Sequence, residues 1–190
     1  MNAPFSQGMD KAAFNRWVER QERKYEWKDG RVVQMPNVTK AHARIVANFL
    51  FAIGGTLDRD KWSVTASDLG VEGEKWVRYP DVIVEPMDAD DKSRRAERAV
   101  LLVEVLSPSS VGTDFSEQLD EYTSFGPLEA YIVASQEEPI VWVWQRDGAS
   151  RAFPKKPEEI AGRQASVTLR ALGVSLPLAE LYRGIAAGGV

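Results

Sequence analysis

The chain contains no cysteine and a single histidine. The missing thiols exclude disulfides and thiolate metal sites, and nothing argues for an oxidising compartment. Long apolar runs are missing too. None approaches the ~20 residues needed to span a bilayer, and the opening MNAPFSQGMDKAAF lacks the apolar stretch of a signal peptide. The expectation is a soluble, cytoplasmic protein. There is also no basic excess, with 24 Lys and Arg against 28 Asp and Glu, a net charge of −4 and a pI of about 5.2. That weighs against broad, sequence-blind nucleic-acid binding, which relies on cations neutralising phosphates. A nuclease, however, needs only a local basic lining, and a carboxylate cluster in its site lowers the total.

What is present is a globular composition. The chain has 190 residues, 44% hydrophobic and 27% charged, enough for one domain of ordinary size. We expect a leader over residues 1–9, one domain over 10–185 and a tail over 186–190. Asp10 suits the N-cap of a helix reaching about residue 22, with Phe14, Trp17 and Val18 on one face. In YEWKDGRVVQMP, Asp29-Gly30 signals a hairpin turn between two short strands. Thr39 suits the cap of a helix over about 40–56, ended by Gly54-Gly55. Strands are expected near 62–67 and 77–84, then a charged loop over 86–97. AVLLVEVL, residues 99–106, reads as a strand buried on both faces. A helix over about 114–125 then leads to a strand in LEAYIVAS, the pattern of a parallel crossover. PIVWVWQRDG alternates and turns at Asp147-Gly148; a strand near 165–170 and a short helix over 177–183 follow. The fold class is α/β: a mixed β-sheet core flanked by helices, with N-terminal and C-terminal hairpin strands.

Glu104 is the one ionisable group in AVLLVEVL. A carboxylate in a buried strand is costly unless it is paired, protonated or bound to a cation. Val103 and Val105 must point to the opposite face, so the strand presents a single acid. The bland alternative is a strand-end glutamate reaching solvent or an arginine. Asp81, in RYPDVIVE, follows Pro80, which is tolerated at a strand start, an edge or a bulge. Alone it reads as a turn aspartate. Together, an Asp at the mouth of one strand and a Glu in the next can converge on a hard cation. Mg²⁺ asks for only one or two protein carboxylates, keeps several waters and is completed by substrate phosphate.

RYPDVIVE, then VEVLSPSS, EQLDEY and LEAYIVAS, with YEWKDGRVVQMP and HARIVANFL before them, resemble the Uma-type family of proposed restriction endonucleases. That family is a bacterial branch of the PD-(D/E)XK nucleases. The resemblance covers roughly residues 10–150. It implies a restriction-endonuclease-like core and a DNA endonuclease that uses Mg²⁺, with Mn²⁺ as a substitute. Asp81 matches the aspartate of the PD element and Glu104 the acid of the (D/E)XK element. Leu106 stands two residues beyond Glu104, and the family's lysine has moved to the following helix, four residues before Tyr122. That position is Gln118 here. Glu26 matches an acidic position on the first hairpin that adds to the metal site, and His42 a histidine at the start of the second helix.

Gln118 can hydrogen-bond a water but carries no charge where charge develops, and such a charge is worth several kcal/mol in a transition state. Three readings follow: Gln118 does the work less well than lysine, Lys40 or Arg78 substitutes, or the chain is an inactive descendant that binds nucleic acid or another protein. His42 is expected to line the cleft without a proton-transfer role. Asp114 lies four residues before Gln118 on one helix side, or else caps the helix, and Tyr122 packs. Trp142 and Trp144 share a strand face that could stack bases, form a dimer contact or pack under the C-terminal helix. The basic cluster RRAER, residues 94–98, reads as a solvated loop with a lesser prospect of touching phosphate. Cutting both strands of DNA would be easiest for a homodimer.

Overall fold

The structure is a computed structural model and describes residues 6–35, 37–66, 69–88, 90, 92–106 and 114–186. In chain order its elements are β1 (Ser6–Gln7), α1 (Lys11–Val18), β2 (Tyr25–Lys28), β3 (Arg31–Gln34), α2 (Lys40–Gly54), β4 (Trp62–Ala66), β5 (Val71–Glu72), β6 (Trp76–Arg78) and β7 (Val82–Pro86). They continue with β8 (Leu101–Val105), α3 (Asp114–Ser124), β9 (Ala130–Ala134), β10 (Ile140–Gln145), β11 (Glu158–Ala161), β12 (Ser166–Leu169), β13 (Val174–Pro177) and α4 (Leu178–Leu181).

The centre is a six-stranded mixed sheet in the order β11-β10-β9-β8-β7-β4. β8 and β9 run parallel, with α3 between them in sequence, and the other neighbours are antiparallel. Alternation along the strands divides the core in two. Val82, Val84, Leu101, Val103 and Ile132 pack with Ile45, Phe49 and Ile53 of α2 and with Leu178 of α4. Ile83, Leu102, Tyr131, Val133 and Trp144 face the other way and pack with Tyr122 of α3, Leu128 and Trp76. A five-stranded sheet, β1-β3-β2-β6-β5, carries a third cluster with Phe14 of α1 at its centre.

The start signals act as their chemistry requires. Asp10 accepts a hydrogen bond from the Ala13 N–H at 2.7 Å, and Thr39 accepts one from the His42 N–H at 3.1 Å. Asp29 and Gly30 both have positive φ, 44° and 83°, the backbone of a type I′ hairpin turn.

Three expectations are corrected. The strand expected over 77–84 is two strands in two sheets: β6 ends at Arg78 and β7 starts at Val82. Pro80 has no N–H to give to a ladder, so the chain leaves one sheet and enters the other there. Ser6–Gln7, assigned to the leader, pairs with β3. Trp142 and Trp144 pack on the face away from the C-terminal helix. Trp144 is buried and stacks on Tyr131 with ring centroids 5.7 Å apart, and Trp142 packs on the same cluster and donates to Glu159 Oε2 at 2.9 Å.

Candidate active site

The two sheets each end in a cross-strand pair, and the link Tyr79–Pro80 joins them. In the six-stranded sheet the antiparallel register pairs Val82 with Val103. One step further, Asp81 stands opposite Glu104. In the five-stranded sheet Trp27 pairs with Val77, so one step further Glu26 stands opposite Arg78. Directly opposed residues have Cβ atoms about 4.5–5.5 Å apart. Three strands and the residue that precedes β7 thereby bring four charged groups to one place.

Asp81 is buried and held from two sides. Its Oδ2 accepts the backbone N–H of Val105 at 2.8 Å, and its Oδ1 lies 3.0 Å from His42 Nε2. His42 is itself buried at the first turn of α2, and among the described residues its Nδ1 has no hydrogen-bond partner. His42, expected to line the site, contacts Asp81.

Glu104 is half-buried, and protein atoms surround its carboxyl closely. Its Oε1 accepts two hydrogen bonds, from Gln118 Nε2 and from the Tyr122 hydroxyl, each 2.8 Å long. Both donors come from α3, one turn apart, so the helix grips a single oxygen. Among the described residues no hydrogen bond reaches Oε2. Burial pushes the carboxyl well above its usual range, the charges of Asp81 and Glu26 push it further, and the Tyr122 hydrogen bond and Arg78 only partly offset this. Burial, followed by the Glu104 charge, also raises the Tyr122 and Tyr131 hydroxyls, and that of Tyr131 has no hydrogen-bond partner among the described residues.

Arg78 bridges two acids. Its Nη1 is 2.6 Å from Glu26 Oε2 and its Nε 2.8 Å from Glu121 Oε2, while Lys28 Nζ lies 3.0 Å from Glu121 Oε1. Burial opposes the Arg78 charge, but Glu26 and Glu121 hold it protonated above its ordinary range. Of the two cations considered as substitutes for the missing lysine, Arg78 is at the site and Lys40 is exposed at the first residue of α2.

Sequence reasoning missed the Tyr122 hydroxyl on Glu104 and the Glu121 end of the Arg78 bridge. A period-four reading of α3 from Gln118 names Tyr122 as a neighbour but does not say that its oxygen reaches the acid. The side chain of Asp114 lies outside the described residues. The RRAER cations are engaged within the chain: Arg94 with Glu19 at 3.1 Å, Arg95 with Glu72 at 3.0 Å, Arg98 with Asp88 at 3.0 Å.

Among the described residues no group of three or more His, Asp or Glu side chains is disposed to hold a metal ion. Glu26 is turned to Arg78, which leaves a two-carboxylate set of Asp81 and Glu104. Such a set suits Mg²⁺, which keeps most of its waters. The mutual repulsion recorded in the Glu104 shift is what a bound cation would relieve.

Comparisons with known proteins bear on the family and the fold. Residues 12–179 match the model of the Uma2 family, described as "Putative restriction endonuclease". An uncharacterized protein, slr1290, of Synechocystis sp. (strain ATCC 27184 / PCC 6803 / Kazusa) is 26% identical over 193 residues, covering 97% of this chain and 96% of the relative. In fold the chain is similar to a crystal structure described as "a putative nuclease belonging to DUF820" from Anabaena variabilis ATCC 29413. The TM-score is 0.70 at 15% identity, over 87% of this chain and 93% of that one.

Proposed function

This chain belongs to the Uma2 family, and on that premise we propose that it hydrolyses DNA phosphodiester bonds with a divalent ion held by Asp81 and Glu104. The observation that carries the reading is the facing pair itself: Asp81 at the entry to β7 stands across from Glu104 of β8, whose carboxyl is pushed toward its protonated form by burial first and by the Asp81 charge second. When bound there, Mg²⁺ or Mn²⁺ would supply positive charge to the phosphoryl oxygen and a hydroxide near neutral pH.

The chain's own residues set up the rest. His42 and the Val105 N–H fix the Asp81 carboxylate. Gln118 and Tyr122 fix Glu104 by Oε1, and its other oxygen would remain to hold the ion. Glu26 adds negative charge nearby, with Arg78 as the counter-charge that keeps the acids from repelling one another out of the fold. Gln118 stands where the family places a lysine and contributes an amide without charge. The rate should therefore be low, by the several kcal/mol that a positioned charge contributes. Two copies acting together would cut both strands.

The test is cleavage of plasmid and oligonucleotide DNA with Mg²⁺ or Mn²⁺. Asp81→Ala and Glu104→Ala should each abolish cleavage while circular dichroism stays unchanged. Retained cleavage in either variant rules out the assignment. A second reading, an inactive nuclease-fold protein that binds DNA or a protein partner, is favoured by Gln118 and the acidic pI. It predicts that wild-type protein binds metal and does not cut any DNA offered.

A further inference from the structure

A cavity of about 1020 Å³ lies between α1, the five-stranded sheet and the β4–β7 edge of the six-stranded sheet, with Ser63, Thr65 and Glu85 among its lining. Ser63 and Glu85 are cross-strand partners and Thr65 is opposite Ile83, so their side chains share the sheet face that carries Asp81 and Glu104. Glu85 is four residues along the chain from Asp81, roughly 13 Å at strand rise, and the buried Ile83 lies between. This is a separate place from the acid pair.

The floor of the cavity holds buried polar oxygens without a partner among the described residues. Glu85 is 5% exposed. Its Oε2 and the Thr65 Oγ1 are both buried and have no hydrogen-bond partner among the described residues. An acid left this way costs several kcal/mol unless something donates to it. Burial raises the Glu85 carboxyl, the Arg98 charge lowers it and Glu97 raises it again. Among the described residues the arginines of the walls are engaged elsewhere. Arg95 donates to Glu72 at 3.0 Å and to Asn15 at 2.7 Å and lies over the Tyr79 ring, and Arg94 pairs with Glu19. At the mouth Arg23 and Lys24 are balanced by Glu22 and Asp90. A neutral rim over an acid floor disfavours phosphate and favours a ligand rich in N–H groups. The volume is at the upper end of small-molecule sites, about 300–1,000 Å³.

We propose that this cavity binds a small organic cation bearing an amine or guanidine group, whose N–H donors satisfy Glu85 and Thr65. The site is independent of the phosphodiester chemistry. It is tested by isothermal titration of the full-length protein with agmatine, with pentane-1,5-diol as the uncharged control. The expected result is saturable binding of one agmatine per chain and none of the diol. Glu85→Gln should weaken it roughly ten- to a hundred-fold, the usual loss for a hydrogen bond to a charged group. Glu104→Gln should leave the agmatine affinity unchanged, which separates this site from the acid pair. Should Glu85→Gln fail to fold, the carbon-13 shift of the Glu85 carboxyl in wild-type protein must move with agmatine saturation, and Thr65→Val must weaken binding. Absence of saturable binding, an undiminished affinity in folded Glu85→Gln, an unmoved Glu85 resonance at saturation, or loss of binding in Glu104→Gln each overturns the proposal.

Discussion

Burial of the Glu104 carboxyl, and after it the neighbouring charges of Asp81 and Glu26, make the native state hold the Glu104 proton more tightly than the unfolded chain does. By linkage, unfolding free energy therefore falls as pH rises from the ordinary glutamate value of about 4.3 through the raised native value. Glu104→Gln removes that fall, and Gln can still accept from Gln118 and Tyr122. Its melting temperature should match wild type near pH 4 and exceed it at pH 8, by about 1 kcal/mol or a few degrees. A variant less stable than wild type at pH 8 would mean that the acid is a structural support. Arg78 has the opposite character. Arg78→Met leaves the partly buried Glu26 without its cation and Glu121 with Lys28 alone, and should cost about 3 kcal/mol in urea unfolding. At Gln118, a lysine would restore positive charge beside Glu104. Gln118→Lys should raise cleavage by roughly a hundred-fold when assayed on the same DNA as wild type. An unchanged rate with metal still bound would favour the binding reading.

At the scale of elements, the chain's switch between sheets at Pro80 decides where the site forms. Glu104 was legible as an anomaly in an apolar strand, and both hairpin chemistry and helix caps could be read from Asp29-Gly30, Asp10 and Thr39. The division of 77–84 into β6 and β7 was not, because period and apolarity are alike on both sides of the proline. Hence the Glu26–Arg78 pairing, which depends on β6 joining β2, could not be foreseen. β11 and β13 also escaped notice: EEIA and VSLP are short, and only pairing with β10 and β12 makes them strands. The cap of α2 bears on both stability and site. Thr39 accepts from the His42 N–H and donates to Gln136 Oε1 at 2.5 Å. Thr39→Ala should lower stability by about 1 kcal/mol, measured by thermal melting. It should also loosen the His42 contact with Asp81, visible as a shifted His42 imidazole resonance.

At the scale of the whole molecule, the central strands β7, β8 and β9 are packed on both faces and form a rigid mount for Asp81 and Glu104 at the junction with the second sheet. Among the described residues no helix is long and apolar enough to cross a membrane. The general position of the acid site was visible in the sequence because strand alternation isolates Glu104 and because Pro80 marks an entry to the sheet. The donors that grip Glu104 were not, since they arrive from α3 by packing rather than by any local pattern. The account rests on the acid pair as a cation site, and a calorimetric Mn²⁺ titration of wild type beside Asp81→Asn tests it most directly, because it does not depend on guessing the substrate. Saturable binding in wild type that is lost in the variant is predicted, with added DNA tightening it. Equal binding by both proteins, or none by wild type even with DNA present, would contradict it.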